Sequence, residues 1–491
     1  MAVRTKLGWS VFGVAVLGAM VVGGLAPLGL RAEQAPPGSA VSDVTFTKDI
    51  APILQRSCQN CHRPGQVAPM SLLTYEDARP WAKSIKVRTA IRDKMGVMPP
   101  WYIEKNIGIQ HYKNDPSLSD EEIAKIAKWA DTGAPRGNPA DMPVARVWPE
   151  GNGWTIGTPD LIVSSPEVTV KANAPDWWGE FEPTKIPLDE DRYVAAVEMR
   201  EVNDLNNLKD ASGRQTVGQR YTWHHLIWAT AVLGPDSDPL EASVAEDAVG
   251  WPVHEVGRNA DIFEPNAGRL LKAGSSIVYQ GAHLHSGGAD VKSRLVFGFK
   301  LHPKGYKPAM RSTLRSLGNG LDIDIKPGES GQQLHAYLVL SQPTKIATFE
   351  PHLHAPGQRM CFEAIWGYTI QTLTCAGYDH NWVRQYEYED DSAPLLPRGT
   401  ILHIIGYMDN TPNNKNIPDS RNWQGSGNRS IANMFIDLGQ SVPLTDDQFQ
   451  DEMAKRREKL GANRPDVIIG CPLCNVIPPP KATATAAKPQ E

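Results

Sequence analysis

A chain of 491 residues with 41% hydrophobic and 21% charged side chains is large enough for about three domains, each with an apolar core. The net charge of −5, with no Lys/Arg cluster interleaved with aromatic residues, excludes the basic surface that a nucleic-acid partner requires. The 42 glycines and 40 prolines favour short strands and turns over long helices, so the body should be rich in β-structure.

Arg4 and Lys6 precede an uncharged stretch from Leu7 to Leu30, which runs into Arg31-Ala32. That order reads as an export signal over residues 1–32, cleaved near Ala32. Left uncleaved, the stretch is long enough to anchor the chain in a bilayer, although its glycines and Pro27 make a weak span. The expected location is therefore periplasmic or secreted, with membrane contact only through an uncleaved leader. Six cysteines suit that oxidising compartment.

Residues 44–140 read as a small all-α domain. Asp49 to Ser57 carries apolar residues at helical spacing (Ile50, Ile53, Leu54) into Cys58-Gln59-Asn60-Cys61-His62. This CxxCH is the attachment signature of c-type haem: two thiols one helical turn apart add to the vinyl groups, and the histidine binds iron. A zinc knuckle or redox dithiol would share the CxxC, but zinc needs a second ligand pair, which this segment lacks. Glu76 to Arg92 has the pattern of a second helix. Ser119 with Glu122 makes a capping box ahead of a third, which Gly133 ends. Helices before and after the motif suit a cytochrome c-like domain. His62 is the expected proximal ligand and Met98, in Met98-Pro99-Pro100-Trp101, the expected distal one, with His111 as the alternative. A His/Met pair raises the potential and suits the passing of electrons.

Residues 141–157, rich in proline and glycine, read as a linker. Beyond it, short alternating runs such as Leu161–Val163, Val168–Val170, Tyr193–Val197, His225–Thr230 and Val296–Lys300 are punctuated by turn residues. They indicate an antiparallel β-sandwich over 158–324. Gln333–Leu340, Ala347–His352, Cys361–Tyr368 and Ile401–Met408 continue the pattern in a second sandwich over 325–448. Residues 449–491 read as a short polar helix and a disordered tail. Cys361 and Cys375 flank a strand, turn and strand, so they are expected to form a disulfide worth about 3 kcal/mol by loop entropy. Cys471-Pro472-Leu473-Cys474 has no following histidine and cannot be a second haem site. A small-loop disulfide is its simplest reading, with thiol exchange or copper capture as alternatives.

Of thirteen histidines, six sit in three tight pairs: His224-His225, His283-x-His285 and His352-x-His354. Imidazoles at i and i+2 on a strand share one face, a chelating arrangement, whereas adjacent ones share a metal only if a ring nitrogen differs or the backbone kinks. Three pairs in one β region point to metal rather than to hydrogen-bonded core histidines. With a thioether and no obvious carboxylate or thiolate, copper is the expected metal. His254, His302, His335, His380 and His403 stand alone and read as surface or core residues, as does Met408.

Residues from about 215 to 440 resemble the type II copper, ascorbate-dependent monooxygenases, the family of peptidylglycine α-hydroxylating monooxygenase and dopamine β-monooxygenase. Tyr221-Thr222-Trp223-His224-His225 resembles the family's adjacent pair, and Tyr279-Gln280-Gly281-Ala282-His283 the strand supplying the third ligand of that copper. His285 is the alternative third ligand. His352-Leu353-His354 resembles the HxH pair of the second copper, and Met434 stands where the family places its methionine ligand. The turn from Tyr407 to Asn414 is similar to one in bacterial members. The resemblance implies two jelly-roll-like sandwiches, one copper in each, separated by a solvent-filled cleft. It implies that the all-histidine copper delivers an electron while the copper at His352, His354 and Met434 binds oxygen and attacks a C–H bond. The upstream haem, fed by a periplasmic donor, would then replace ascorbate.

Where the peptide-amidating member grips a carboxylate with arginine, asparagine and tyrosine, this chain has Glu350, Ile436 and Leu438. A peptide carboxylate would find no cation there, so a small and less polar substrate is expected beside oxygen. A copper-binding or electron-transfer protein without C–H chemistry, and a scaffold that has lost its metals, are the competing classes. A thioether in the family position is needless for either.

Overall fold

Two helix starts in the first part of the chain are fixed by side chains that satisfy the leading N–H groups. Thr74 caps Tyr75–Ala78 and Ser119 caps Asp120–Asp131, each with the reciprocal carboxylate bond of a capping box. Gly133 follows the latter at φ 87°, a left-handed position that glycine takes without steric cost. The pattern over Glu76 to Arg92 is broken rather than continuous. Pro80 lacks an N–H and sits in a tighter turn, Arg79–Trp81, between Tyr75–Ala78 and Ala82–Thr89. Phe46, Ile50, Leu54, Leu72, Ile85, Leu118, Ile126 and Trp129 from these helices and their connections form one apolar cluster.

The computed structural model describes residues 44–64, 68, 70–148, 154–205, 222–256, 260–427 and 432–460. The expected export signal at 1–32 and Cys471 and Cys474 lie outside them. From Val44 onward the described residues belong to one compact unit. Among the described residues no helix is long and apolar enough to cross a membrane.

From Leu161 onward the described chain is predominantly antiparallel sheet, a β-sandwich architecture; most runs read as strands are strands, but Ala347–His352 is split into Thr348–Phe349 and Pro351–Leu353. One sheet centres on Arg192–Asn203 and Val291–Leu301. A second has the order Trp177–Lys185, Ser275–Leu284, Trp223–Val232, with His254–Glu255 also pairing to Trp223–Val232. Trp223, Trp228, Trp251, Tyr279, Phe297 and Phe299 fill the core between them. After Thr313 the strands build further sheets. One has the order Gln332–Val339, Ile401–Met408, Gly357–Trp366, Thr369–Gly377; another is Leu317–Asn319, Phe435–Asp437, Pro351–Leu353. Cys361 and Cys375 are directly opposed on paired strands and form the expected disulfide. Met408 is fully buried in the core.

The helical part joins this second set of sheets. Glu104 N donates to Cys375 O and Ile109 N to Leu373 O, so the chain on either side of a turn at 105–108 lies along the edge strand Thr369–Gly377, and Tyr112 bridges to Tyr388. Val97, Trp101, Tyr102, Ile103, Ile109 and Tyr112 belong to the same core as Phe349, Phe362, Tyr386 and Phe435.

Arg315 (4% exposed) and Asp437 (0%) form a buried ion pair. Asp437 also accepts from Glu350 N and Gly439 N, locking Phe435–Asp437 against the strand that carries His352. Replacing Arg315 with methionine strands that carboxylate, and urea denaturation should show a loss of about 3–5 kcal/mol.

Candidate metal centre

The register of the second sheet decides how adjacent histidines come to face one another. His225 pairs with His283, and the next pair is Trp223 with Leu284, so His224 is an extra residue in a bulge. A bulge re-aims a side chain that would otherwise point to the opposite face. The His224 and His225 Nδ1 atoms consequently lie 3.4 Å apart. On the other side His225 pairs with Glu255, so Glu255, His225 and His283 form a row across three strands. Trp178 backs the row, its ring 4.8 Å from that of His225 and 5.9 Å from that of His283. A Cβ at Gly281 would come within 2.7 Å of that indole, so only glycine fits there.

His224, His225 and His283 offer ligand atoms within 4.8 Å of one another. Metal–nitrogen bonds of about 2.0 Å place two imidazoles on one ion with ring centroids roughly 4.5–6.4 Å apart. The three centroid separations, 5.6, 5.0 and 4.9 Å, fall in that range. His285 instead stacks on His224 at 4.2 Å, with its Nε2 3.5 Å from Asp176. Of the two candidate third ligands, the geometry brings His283 to the adjacent pair. His285 groups with Asp176 and His283 in a second, more exposed triad.

His352 and His354 stand with ring centroids 5.4 Å apart. Leu353 pairs with Phe435 and His352 with Ile436, so the antiparallel register continued by one residue sets Met434 opposite His354. The six paired histidines, read as two separate sets, form one cluster: His225 and His352 are 6.0 Å apart. Glu255, on a strand paired with Trp223–Val232, accepts a 2.6 Å hydrogen bond from His352 Nδ1, which joins the two groups of sheets at this point. His225, His283, His352 and His354 are only 1–4% exposed.

Outer partners assign the tautomers. His352 donates from Nδ1 to Glu255, leaving Nε2 as its ligand atom. His224 Nε2 donates to His380 O at 3.3 Å, and His283 Nε2 faces Asp176 at 3.2 Å, leaving Nδ1 on each. His283 Nδ1 and His354 Nδ1 are buried without a protein hydrogen-bond partner, which is what a metal-binding nitrogen looks like before loading. Burial, reinforced by neighbouring histidines, holds His224, His225 and His354 well below the usual imidazole range. Those three rings thus offer neutral lone pairs, fit for a soft or borderline cation. Glu255→Ala removes the acceptor that orients His352, and competitive chelator titration should show a 10- to 100-fold weaker metal affinity.

Sequence reading missed Glu255, Asp176 and His380. Glu255 sits on a strand of two residues with no pattern of its own. His380, read as a solitary core or surface residue, joins the cluster with its ring 5.0 Å from His224 and 5.9 Å from His354. His335 and His403 form a separate chain, His335 Nδ1 to His403 Nε2 at 3.0 Å and His403 Nδ1 to Glu363 at 2.9 Å.

The CxxCH segment follows Ala51–Ser57 directly. His62 N and Cys61 N donate to Cys58 O, and His62 Nδ1 lies 3.2 Å from Met70 O, which leaves Nε2 free for a metal. Cys58 and Met70 pack against the apolar cluster that contains Leu118, with Ile123 beside them. Leu118 and Ile123 also line a cavity of about 220 Å³ with Met98 and Trp101. Met98 is 42% exposed, and His111 is exposed and does not line the cavity.

No model of a known protein family and no curated protein matches this chain. Among solved structures it is similar to the VP2 subviral particle of infectious bursal disease virus, at 9% identity over 60% of this chain and 74% of that one, TM-score 0.17. It is also similar to the cowpea mosaic virus top component, at 10% identity over 51% and 89%, TM-score 0.19. Likeness at that level carries no argument about fold or activity.

Proposed function

We propose that the chain is an exported haem- and copper-dependent oxidoreductase, an oxygen-dependent monooxygenase that hydroxylates a C–H bond of a small, rather apolar substrate. The observation that carries this reading is the meeting of two histidine sets, one from each group of sheets, in a single buried cluster. His224, His225 and His283 would hold one copper, and His352, His354 and Met434 the other. Cys58 and Cys61 would attach one haem c, with His62 and Met98 as its axial ligands, in a helical domain of cytochrome c type ahead of two jelly-roll-like sandwiches. When bound, copper supplies oxygen activation at the methionine site and haem iron supplies electrons.

The protein's own groups do the positioning. Glu255 fixes the His352 tautomer across the sandwich boundary, and the His224 bulge turns an adjacent pair into a chelate. Ile436 pairs with His352 and presents an apolar side chain, and Glu350 two residues before His352 adds no cation. An anionic substrate would be repelled there and an apolar one admitted.

The closeness of His225 to His352 favours a second reading, a copper-binding or electron-transfer protein in which the closed cluster carries charge without admitting substrate. Metal analysis with copper EPR separates the two. Two type II coppers per haem, with Met434→Ala disturbing one of them and stopping oxygen uptake, supports the monooxygenase. Oxygen-dependent turnover that survives Met434→Ala, or fewer than two coppers, defeats it.

A further inference from the structure

The geometry points to His380 as a further metal ligand, joining His352 and His354 and standing between the two histidine sets. This rests on the copper reading above and adds to it a residue that no spacing motif picks out.

Both ring nitrogens of His380 are buried without a hydrogen-bond partner, and the residue is only 7% exposed. A core histidine that serves packing alone satisfies at least one nitrogen, because an unpaired buried donor or acceptor forfeits its hydration. The ring has no such partner, yet six histidines surround it. Its centroid lies 5.0 Å from that of His224 and 5.9 Å from that of His354, both inside the range of about 4.5–6.4 Å expected of imidazoles on one ion. His224 already belongs to a complete three-imidazole group, whereas His352 and His354 supply two imidazoles and await company. His354 Nδ1 is unpartnered as well. The assignment therefore places His380 with the HxH pair.

The backbone holds the ring where it is. Asp379, the preceding residue, accepts from Gly96 N at 3.2 Å and from Tyr102 Oη at 3.3 Å, and from Asn381 N at 3.0 Å. Gly96 and Tyr102 flank the Met98 loop. The His380 carbonyl accepts from His224 Nε2. Farther along, the Arg384 guanidinium lies over the Trp101 ring at 5.6 Å. A ligand at 380 is thus tied by one residue to the loop that carries the expected distal haem ligand. With both groups bound, Gly96, Asp379 and the His380 ring would form the connection between the Met98 loop and the HxH site along which one-electron chemistry could be coupled.

The test uses the full exported chain with its haem attached, reconstituted with Cu(II) alone. Pulsed EPR on the wild type should count three coupled imidazoles at the copper that Met434→Ala perturbs; a count of two overturns the assignment without any variant at His380. His380→Gln and His380→Ala should change the hyperfine splitting of that copper and leave the other unaltered. They should also slow haem reoxidation by copper at least tenfold, with haem content and potential unchanged. Unaltered copper signals, or a change confined to the other copper, would overturn it. A wild type that takes up no copper defeats the underlying reading instead, and the two failures are told apart in the first spectrum.

Discussion

His225→Ala should weaken Cu(II) binding at the adjacent-pair site by at least about 100-fold, because losing a ligand exceeds the cost of losing a partner outside the coordination sphere. His225 is the hub of the cluster, with ring centroids 4.9 Å from His283, 5.6 Å from His224 and 6.0 Å from His352. Competitive titration should therefore show a large loss at the first site and a smaller one at the second. Retention of both coppers at wild-type affinity would remove His224, His225 and His283 as a binding set. Acid gives an independent check. Two ordinary imidazoles with values near 6.5 would lose about 100-fold in metal affinity between pH 7.5 and 5.5 through proton competition. Burial depresses His224 and His225 well below that, so these two ligands stay neutral over the range and the measured loss should be far smaller. Stability of the metal-free chain runs the other way. The unfolded rings take up protons below about pH 6.5 and the folded ones do not, so the unfolded state binds more protons in acid. Thermal denaturation should show stability falling as pH drops below about 6.5 and no gain from these rings above it.

Local signals were legible in the sequence, and long-range ones were not. The capping boxes at Thr74 and Ser119 involve residues three apart, and the one at Ser119, with the Gly133 stop, is written in the chain itself. The Cys361–Cys375 bond joins residues 14 apart on one hairpin, again a local matter. The histidine pairs announce themselves by spacing, yet whether His224 and His225 could share an ion depended on a bulge that only the pairing with Ser275–Leu284 creates. Glu255 reaches His352 across 97 residues, and Asp379 reaches Gly96 across 283. No periodicity encodes such contacts, because each arises from the packing of separate sheets. Nor does chain order reveal that Val97, Trp101, Tyr102, Ile103, Ile109 and Tyr112 share their core with strands more than 200 residues later.

Replacing both Cys58 and Cys61 with alanine should remove covalent haem and cut electron delivery from any protein donor to background, while leaving the histidine cluster loaded. Burial pushes the Cys58 thiol up to about 12, and it raises Cys61 against the opposing pull of Arg384 and Arg63. Neither cysteine is set up as a thiolate for metal or disulfide exchange, whereas thioethers to haem are neutral and suit an apolar surrounding. His62, with its Nδ1 turned to Met70 O, has Nε2 left for the same group. In the double variant a haem stain on a denaturing gel should be negative and copper stoichiometry unchanged, since neither Cys58 nor Cys61 belongs to the grouped ligand atoms of the histidine cluster. Oxygen uptake driven by a small-molecule reductant should continue, and uptake driven by a reduced periplasmic donor protein should stop. Equal rates with the protein donor in wild type and variant would mean that electrons enter at the copper cluster directly. The buried contacts from Gly96 and Tyr102 to Asp379 would then serve packing alone.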